Sequence, residues 1–253
     1  MQILFGAIFA AAVASLAYRA RALTSSGAIA AFVVGTTVFA GAGWPGAAVL
    51  FAFFLPSTLL TRMGRAKKLG IAPQGRAARN GWQVLANGGV AALCAAFTTH
   101  GTLFAAAFAG AFAAASADTW GTEVGLLSRR RPVSILTLRP LRAGLSGGVT
   151  PLGIAASVTG ALMVAWVAAL VRIAPLGSVA LGGLAGALAD SVIGASLQAL
   201  RWCPACACES EARIHDCGAA TQLRRGVRWI ENDAVNFAAT LCGAIVASAA
   251  ASS

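Results

Sequence analysis

The sequence predicts an all-α, polytopic bundle of about eight transmembrane helices in a single transmembrane domain over residues 1–253. The chain is 58% hydrophobic and only 11% charged, whereas soluble domains carry about 25% charged residues. Three stretches carry no charged residue at all, namely 26–61, 80–117 and 143–171. About 20 apolar residues cross a hydrocarbon core of about 30 Å, so these stretches are long enough for one or two membrane spans each.

The predicted spans follow from the apolar runs and the turn residues between them. The breaks are Gly and Pro residues at 41–46, the segment 98–101, and 172–177, which contains Pro175. The basic residues Arg19 and Arg21 follow the first apolar run instead of preceding it, which indicates a retained helix and not a signal peptide. The predicted spans are 2–17, 26–42, 45–61, 82–98, 102–127, 151–171, 177–200 and 234–251.

The basic residues predict the orientation of the bundle. The loops 18–25, 62–81, 128–150 and 201–233 hold 18 of the 19 Lys and Arg residues, and they all fall on one side of an eight-span chain. By the positive-inside rule these loops are cytoplasmic, which places both termini outside a bacterial inner membrane. Short basic clusters between apolar runs are typical of loops that contact anionic lipids or phosphorylated substrates. This distribution argues against nucleic acid as a partner, despite a net charge of +11.

Carboxylates inside predicted spans mark the candidate catalytic site. Asp118 lies in the fifth span and Asp190 in the seventh, with Glu123 close behind the first. A buried carboxylate is costly unless it is paired or bound to a cation, so it is either functional or a packing acid paired with a loop arginine. Oxygen ligands from carboxylates suit Mg²⁺, which keeps waters and bridges to phosphates.

The segments before the two aspartates resemble each other. GAFAAASADT begins at Gly110 and GGLAGALADS begins at Gly182, an offset of 72 residues. Both helices run towards the cytoplasm, so a duplicated unit would be parallel. Chance similarity between two Ala- and Gly-rich helices explains the pattern equally well.

Other polar groups lie near predicted helix starts. Asn80, Gln83 and Asn87 form a stripe at i, i+3 and i+7 that either binds a ligand or joins helices. Asn232, Asp233 and Asn236 begin the last span, where acids favour the helix dipole or complete a cation site.

Residues 144–150, the glycine loop, precede the sixth span. Thr150 is a good N-cap and Pro151 a good first helical residue. Glycine lets backbone N–H groups approach an anion, so the loop is either a phosphate site or an ordinary connection. The candidate phosphate ligands are Ser146, Gly147 and Gly148 of the loop, Arg139 and Arg142 upstream, and Lys67 and Lys68 of the loop 62–81.

Four cysteines and a histidine lie in one predicted cytoplasmic segment, the cysteine loop of residues 203–217. Its potential ligands are Cys203, Cys206, Cys208, His215 and Cys217. A reducing compartment disfavours disulfides, so the loop holds either a structural Zn²⁺ or free thiols.

Four motifs resemble the bacterial membrane proteins of domain-of-unknown-function family ninety-two. In chain order they are QVLANGG from Gln83, ADTWGTEVG from Ala117, GLSGGV from Gly144 and NDAVN from Asn232. The resemblance extends over about residues 20 to 245. Members often have Ser where Thr122 stands here, and the hydroxyl is retained.

The resemblance implies a kinase for prenyl monophosphates, because the family includes the plant phytyl-phosphate kinase. It implies CTP or another nucleoside triphosphate as co-substrate. For such a kinase, the carboxylates Asp118, Glu123 and Asp190 are the candidate Mg²⁺ ligands. Two other functions fit the same residues: a nucleotidyl transferase that makes a CDP-lipid, and an ion-coupled transporter.

Overall fold

The computed structural model describes residues 2–64 and 78–252, in which the chain is mostly helical. All the helices except α1 and α3 are long and apolar enough to cross a membrane, which makes five candidate spans in the described residues. This confirms the membrane helix bundle, while the number of about eight spans stays a prediction. The helices are α1 Gln2–Arg19, α2 Ser25–Arg62, α3 Gly81–Ala95, α4 Thr102–Gly125, α5 Pro151–Leu170, α6 Leu176–Ser196 and α7 Asn232–Ala251.

The long helix α2 is a helical hairpin. A straight helix of 38 residues would be about 57 Å long. Instead, Arg62 at its end donates a 2.7 Å hydrogen bond to the carbonyl of Ala20, which precedes its start. The chain turns at Gly43, whose φ of 58° suits glycine, and Pro45 follows. The break predicted at 41–46 is therefore confirmed.

Local signals set the other helix starts as the sequence predicts. Thr150 caps α5 by accepting a hydrogen bond from the Gly153 N–H at 3.0 Å, with Pro151 in the first turn. Asn80 and Gln83 form a reciprocal capping box at α3, so two amides of the predicted stripe serve the helix start. A 3₁₀ turn at Thr98–His100 separates α3 from α4.

Glycines let α4, α6 and α7 pack backbone to backbone. A Cβ added to Gly110 of α4 or to Gly182 of α6 would lie within 2.7 Å of the same Cβ, that of Ala247 in α7. Each glycine lies eight residues before an aspartate, about 12 Å along its helix. This shared contact places Asp118 and Asp190 at the same depth in the bundle.

The described basic loops lie at one end of the bundle. Arg62 bonds to Ala20, and the carbonyl of Arg79 accepts the Thr24 N–H at 3.0 Å. At the opposite end, Thr98 donates a 2.7 Å hydrogen bond to the carbonyl of Gly41. We call the first of these the basic end.

Two small sheets qualify the all-α prediction. Strand β1 (Val133–Ser134) pairs with β2 (Gly148–Val149). In the predicted loop 201–233, β3 (Leu200–Cys203) pairs with both β4 (Cys208–Ser210) and β5 (Gln222–Arg225), all antiparallel. The prediction that the seventh span reaches residue 200 is wrong, because α6 ends at Ser196 and the chain then enters this sheet. The fourth span is likewise shorter than predicted, since α3 ends at Ala95.

Candidate functional site

A polar chamber of about 970 Å³ opens among the helix ends at the basic end. Helix α4 contributes Asp118 and Glu123, and α6 contributes Asp190. The starts of α3 and α7, the glycine loop and the cysteine loop complete the wall. The chamber therefore joins segments from most of the chain.

All eight carboxylate side chains of the protein line this chamber. Among the residues that the structure describes, four arginines line it with them, so carboxylates outnumber arginines by four in the described wall of a protein whose net charge is +11. Crowded carboxylates in a low dielectric repel one another strongly, so the chamber favours cations. The acids are Asp118, Glu123, Asp190, Glu209, Glu211, Asp216, Glu231 and Asp233, and the arginines are Arg79, Arg130, Arg142 and Arg213.

Asp118 and Asp190 form the innermost pair of acids. Their carboxyl groups lie within hydrogen-bond reach of each other. The Oδ2 atom of Asp190 is buried and accepts no hydrogen bond from the residues that the structure describes. Two carboxylates so close need a shared proton or a cation, and the donor set of carboxylate oxygens fits Mg²⁺.

Glu123 lies beside an arginine that the sequence analysis did not select. Its side chain is buried, and its negative charge interacts with the guanidinium of Arg79. Burial lowers the pKa of Arg79, and the charge of Glu123 opposes that shift. Arg79 lies just before α3, where its carbonyl contacts α2. Its position was missed because it depends on this contact between distant segments.

The glycine loop packs against the last turn of α6, four residues after Asp190. Gly147 has a φ of +77°, and a Cβ there would lie 2.4 Å from the Cβ of Ala195. A Cβ on Gly194 would meet the Cβ of Ser146 at 3.0 Å. Glycine at both positions lets the loop lie directly on the helix, which brings it to the chamber wall.

A carboxylate occupies the loop where the sequence predicts a phosphate. The Ser146 N–H donates to Glu211 at 2.6 Å and the Ser146 hydroxyl donates at 3.0 Å, while the Gln198 amide donates at 2.8 Å. Burial raises the pKa of Glu211, and the hydrogen bonds from Ser146 oppose that rise. An internal anion therefore takes the N–H and hydroxyl donors of Ser146 in this structure, while the phosphate role of the loop stays a prediction.

Most of the predicted ligands line the chamber. Arg139 does not; its side chain is exposed. Lys67 and Lys68 lie outside the described residues. The structure adds Arg79 and Arg130, and it also places Gln83 of the predicted stripe in the wall. The predicted residues that do line the chamber are Asp118, Glu123, Asp190, Asn87, Ser146, Gly147, Gly148, Arg142, Asn232, Asp233 and Asn236.

Salt bridges join the cysteine loop to the start of α7. Glu231 accepts from Arg213 at 2.6 Å and lies 3.5 Å from the largely buried Arg201.

The thiols of the cysteine loop influence one another. Hydrogen bonds lower the pKa of Cys217 to about 6, and the bond from the Ala219 N–H has the largest effect. The neighbouring Cys217 raises the pKa of Cys206 to about 12. The sulfur atoms of the loop are therefore in close mutual contact.

An apolar cleft adjoins the polar chamber. Its walls are mostly aliphatic and phenyl side chains of α1, α2 and α3, including Phe9, Val34 and Phe54. Arg79, Gln83 and Asn87 line both the cleft and the chamber. The two spaces therefore share a polar boundary, with hydrocarbon on one side and carboxylates on the other.

Comparisons with known proteins agree with a membrane helix bundle. The family described as Integral membrane protein DUF92 matches residues 8–244. Protein PGR of Arabidopsis thaliana is 30% identical over 98% of this chain and 96% of its own length. An uncharacterised membrane protein of Methanocaldococcus jannaschii is 28% identical over 90% of this chain and 85% of its own. No solved structure matches significantly. The chain belongs to the DUF92 family of integral membrane proteins.

Proposed function

We propose that the protein is a membrane-embedded phosphotransferase that converts a prenyl monophosphate of the phytyl type to the diphosphate. CTP or another nucleoside triphosphate would supply the phosphoryl group, with Mg²⁺. An oxygen of the prenyl phosphate attacks the γ-phosphorus, a new P–O bond forms, and the bond to the nucleoside diphosphate breaks. The basic end would face the cytoplasm, where the nucleotide is available.

The observation that supports this most strongly is the collection of every carboxylate around one chamber. A negatively charged chamber repels free phosphates and admits them only with divalent cations. Asp118 and Asp190 have the buried oxygen ligands for such an ion, with Glu123 next to them. Mg²⁺ bound there would neutralise the charge on the transferring phosphoryl group. Arg79 and Arg142 line the same space and supply positive charge for phosphate oxygens.

The apolar cleft supports a lipid acceptor. Burial of a hydrocarbon chain between phenyl and aliphatic side chains is favourable, and Arg79 at the boundary suits an anionic head group. The cleft is narrow, about 90 Å³, so it fits only the part of a prenyl chain nearest the phosphate. The remainder of the chain would extend into the surrounding lipid.

The test is transfer by the purified full-length protein in detergent or nanodiscs. With Mg²⁺ and CTP, we expect phytyl or geranylgeranyl phosphate to yield the prenyl diphosphate, and EDTA to stop the reaction. Mass spectrometry separates this product from the CDP-lipid adduct that a nucleotidyl transferase would make. An adduct would replace the kinase proposal. No product with several prenyl phosphates and nucleotides, together with substrate flux into sealed vesicles, would instead favour an ion-coupled transporter.

Filling the apolar cleft is expected to impair long prenyl substrates selectively. Ala31 lines the cleft, and the larger side chain of Ala31→Phe would occupy it. We expect KM for geranylgeranyl phosphate to rise about tenfold, the scale of one or two lost methylene contacts, with little change in KM for CTP, which would not enter the cleft. Steady-state kinetics measure both values.

The matched control is Val33→Phe on the same helical arm. Val33 is exposed on the bundle surface and does not line the cleft. It should leave both KM values unchanged. Equal rises in KM for geranylgeranyl phosphate and for CTP in Ala31→Phe, or equal effects of the two variants, would contradict a tail-binding cleft.

A further inference from the structure

Four ligand atoms of the cysteine loop converge at the edge of the chamber, where His215 lines its wall. The sulfurs of Cys203, Cys206 and Cys217 and a ring nitrogen of His215 all lie within 4.8 Å of one another. The sulfurs of Cys203 and Cys217 are 3.6 Å apart, and Nδ1 of His215 is 3.3 Å from the Cys217 sulfur. The arrangement is a compact group of three sulfurs and one nitrogen.

These separations match the edges of a zinc tetrahedron. With zinc–sulfur bonds of about 2.3 Å and zinc–nitrogen bonds of about 2.0 Å, two sulfurs lie about 3.8 Å apart and nitrogen and sulfur about 3.5 Å apart. Three thiolates and one imidazole fill the tetrahedron, which leaves no position for substrate. Such a closed set is typical of structural zinc and not of catalytic zinc.

Two tight turns present the four ligands. Cys203 ends β3 opposite Cys208 of β4, and Cys206 lies in the turn between them, where Ala207 has a φ of 48°. In the second turn the Gly218 N–H donates to the His215 carbonyl at 2.8 Å, with a φ of 83° at Gly218. Left-handed backbone in both turns directs the paired ligands towards a common centre.

The fifth candidate, Cys208, has a different place. Its sulfur is 3.5 Å from Nε2 of His215, the nitrogen opposite the one that faces Cys217. A partner on the far nitrogen fixes the tautomer of a metal-bound histidine. Cys208 therefore orients His215 and lies outside the ligand set.

The cysteine loop is also connected to the chamber. Glu211 lies between the two turns, and its carboxylate holds the N–H and hydroxyl of Ser146 in the glycine loop. Thr221 donates to the carbonyl of Ala212 at 2.6 Å, which ties the second turn to the same segment. An ion that fixes both turns would fix the position of Glu211.

We propose that Cys203, Cys206, His215 and Cys217 bind a structural Zn²⁺ that holds Glu211 against the glycine loop. The zinc site does not rest on the phosphotransferase proposal, because its three cysteines lie outside the chamber and only His215 of the four ligands lines it. Its ligands are thiolates and an imidazole, which select zinc over Mg²⁺.

The first experiment measures metal content. We expect the full-length protein, purified without chelators, to contain about one zinc per chain by mass spectrometry of the metal. Cys206→Ser and Cys217→Ser should lose it. Cys208→Ser in the same loop and Cys94→Ser in α3 should retain it. Cobalt substitution of the native protein should give thiolate charge-transfer bands and the strong visible bands of tetrahedral Co²⁺. No zinc in the native protein, a disulfide within the loop, or full zinc in Cys217→Ser would overturn the site.

The second experiment tests the connection to Ser146. Hydrogen exchange at the Ser146 amide should accelerate about tenfold or more in Cys217→Ser, since loss of the ion frees Glu211. Glu211→Gln should accelerate the same amide while retaining zinc. Unchanged protection of Ser146 in zinc-free Cys217→Ser would show that the metal does not position Glu211.

Discussion

Replacing either Asp118 or Asp190 with asparagine is expected to lower kcat for phosphoryl transfer by about 100-fold or more, because the amide cannot neutralise a divalent ion. The two carboxyl groups lie within hydrogen-bond reach of each other, so they act as one ligand unit. Loss of one member should therefore cost nearly as much as loss of both. Single and double variants measured under saturating substrate test this.

The same substitutions should change how Mg²⁺ affects stability. A ligand that binds only the folded state stabilises it by about 1.4 kcal/mol at ten times its Kd, so Mg²⁺ should raise the Tm of the native protein. Asp118→Asn should abolish that rise. Without Mg²⁺ the variant should be at least as stable as the native protein, since one of two mutually repelling charges is gone. Thermal unfolding with and without Mg²⁺ measures both effects.

Glu209→Gln is the matched control for the aspartate pair. Glu209 lines the same chamber, but its carboxylate is 3.3 Å from Arg224 and is partly exposed. Its replacement should leave the Mg²⁺-dependent rise in Tm and most of kcat intact. Retained activity in Asp118→Asn, or loss of the Tm rise in Glu209→Gln, would refute a metal site centred on the pair.

Gly147→Ala is expected to destabilise the glycine loop by about 3 kcal/mol. Part of this cost is the left-handed φ of +77°, and the rest is overlap with the Cβ and Cα of Ala195 at 2.4 and 2.6 Å. Because the overlap is with the backbone of α6, no side-chain rotation relieves it. The Tm should fall, and transfer activity should fall with it.

Gly218→Ala separates the cost of backbone strain from the cost of overlap with α6. Gly218 has a similar φ of +83°, but a Cβ there would meet no atom within 4 Å. It should cost only about 1 kcal/mol of backbone strain. If the two variants lowered the Tm equally, the contact between the glycine loop and α6 would not matter for stability.

Much of the fold could be predicted because membrane spans and their ends have local signals. Uncharged runs mark the helices, Thr150 and Pro151 mark a start, and Gly43 with Pro45 marks a turn. The packing of the helices against one another could not be predicted. Residues that face lipid and residues that face protein are both apolar, so the sequence has little helical periodicity. The sheet in 201–225 has no strong alternation, since its strands are short and partly exposed.

The acids of the candidate site could be predicted from the sequence, but the residues that pair with them could not. An acid in an apolar run is conspicuous, which is why Asp118 and Asp190 were selected. The contact of Arg79 with Glu123 and that of Ser146 with Glu211 join segments 44 and 65 residues apart. Nothing local in the sequence encodes such pairs. The contact between the glycine loop and Glu211 could therefore not be predicted.

The structure gives the similarity of the two helix segments an explanation from packing. Gly110 and Gly182 contact the same residues of α7, so the two segments occupy equivalent positions around one helix. Equivalent surroundings favour the same small residues whether or not the segments share an origin. The similarity therefore has a packing cause that is independent of any duplication.

Confinement of every acid to the chamber leaves an unusual exterior. Of the 15 arginines that the structure describes, four line the chamber and the other 11 lie elsewhere. Among those 11, Arg201 and Arg224 form ion pairs with Glu231 and Glu209 of the chamber wall. Anionic lipids would gather around such a rim. A prenyl phosphate is itself an anionic lipid, so its two-dimensional concentration beside the entrance would exceed that in the bulk bilayer. Binding of prenyl phosphate from the bilayer would then weaken as ionic strength rises, even if phosphoryl transfer inside the chamber did not change.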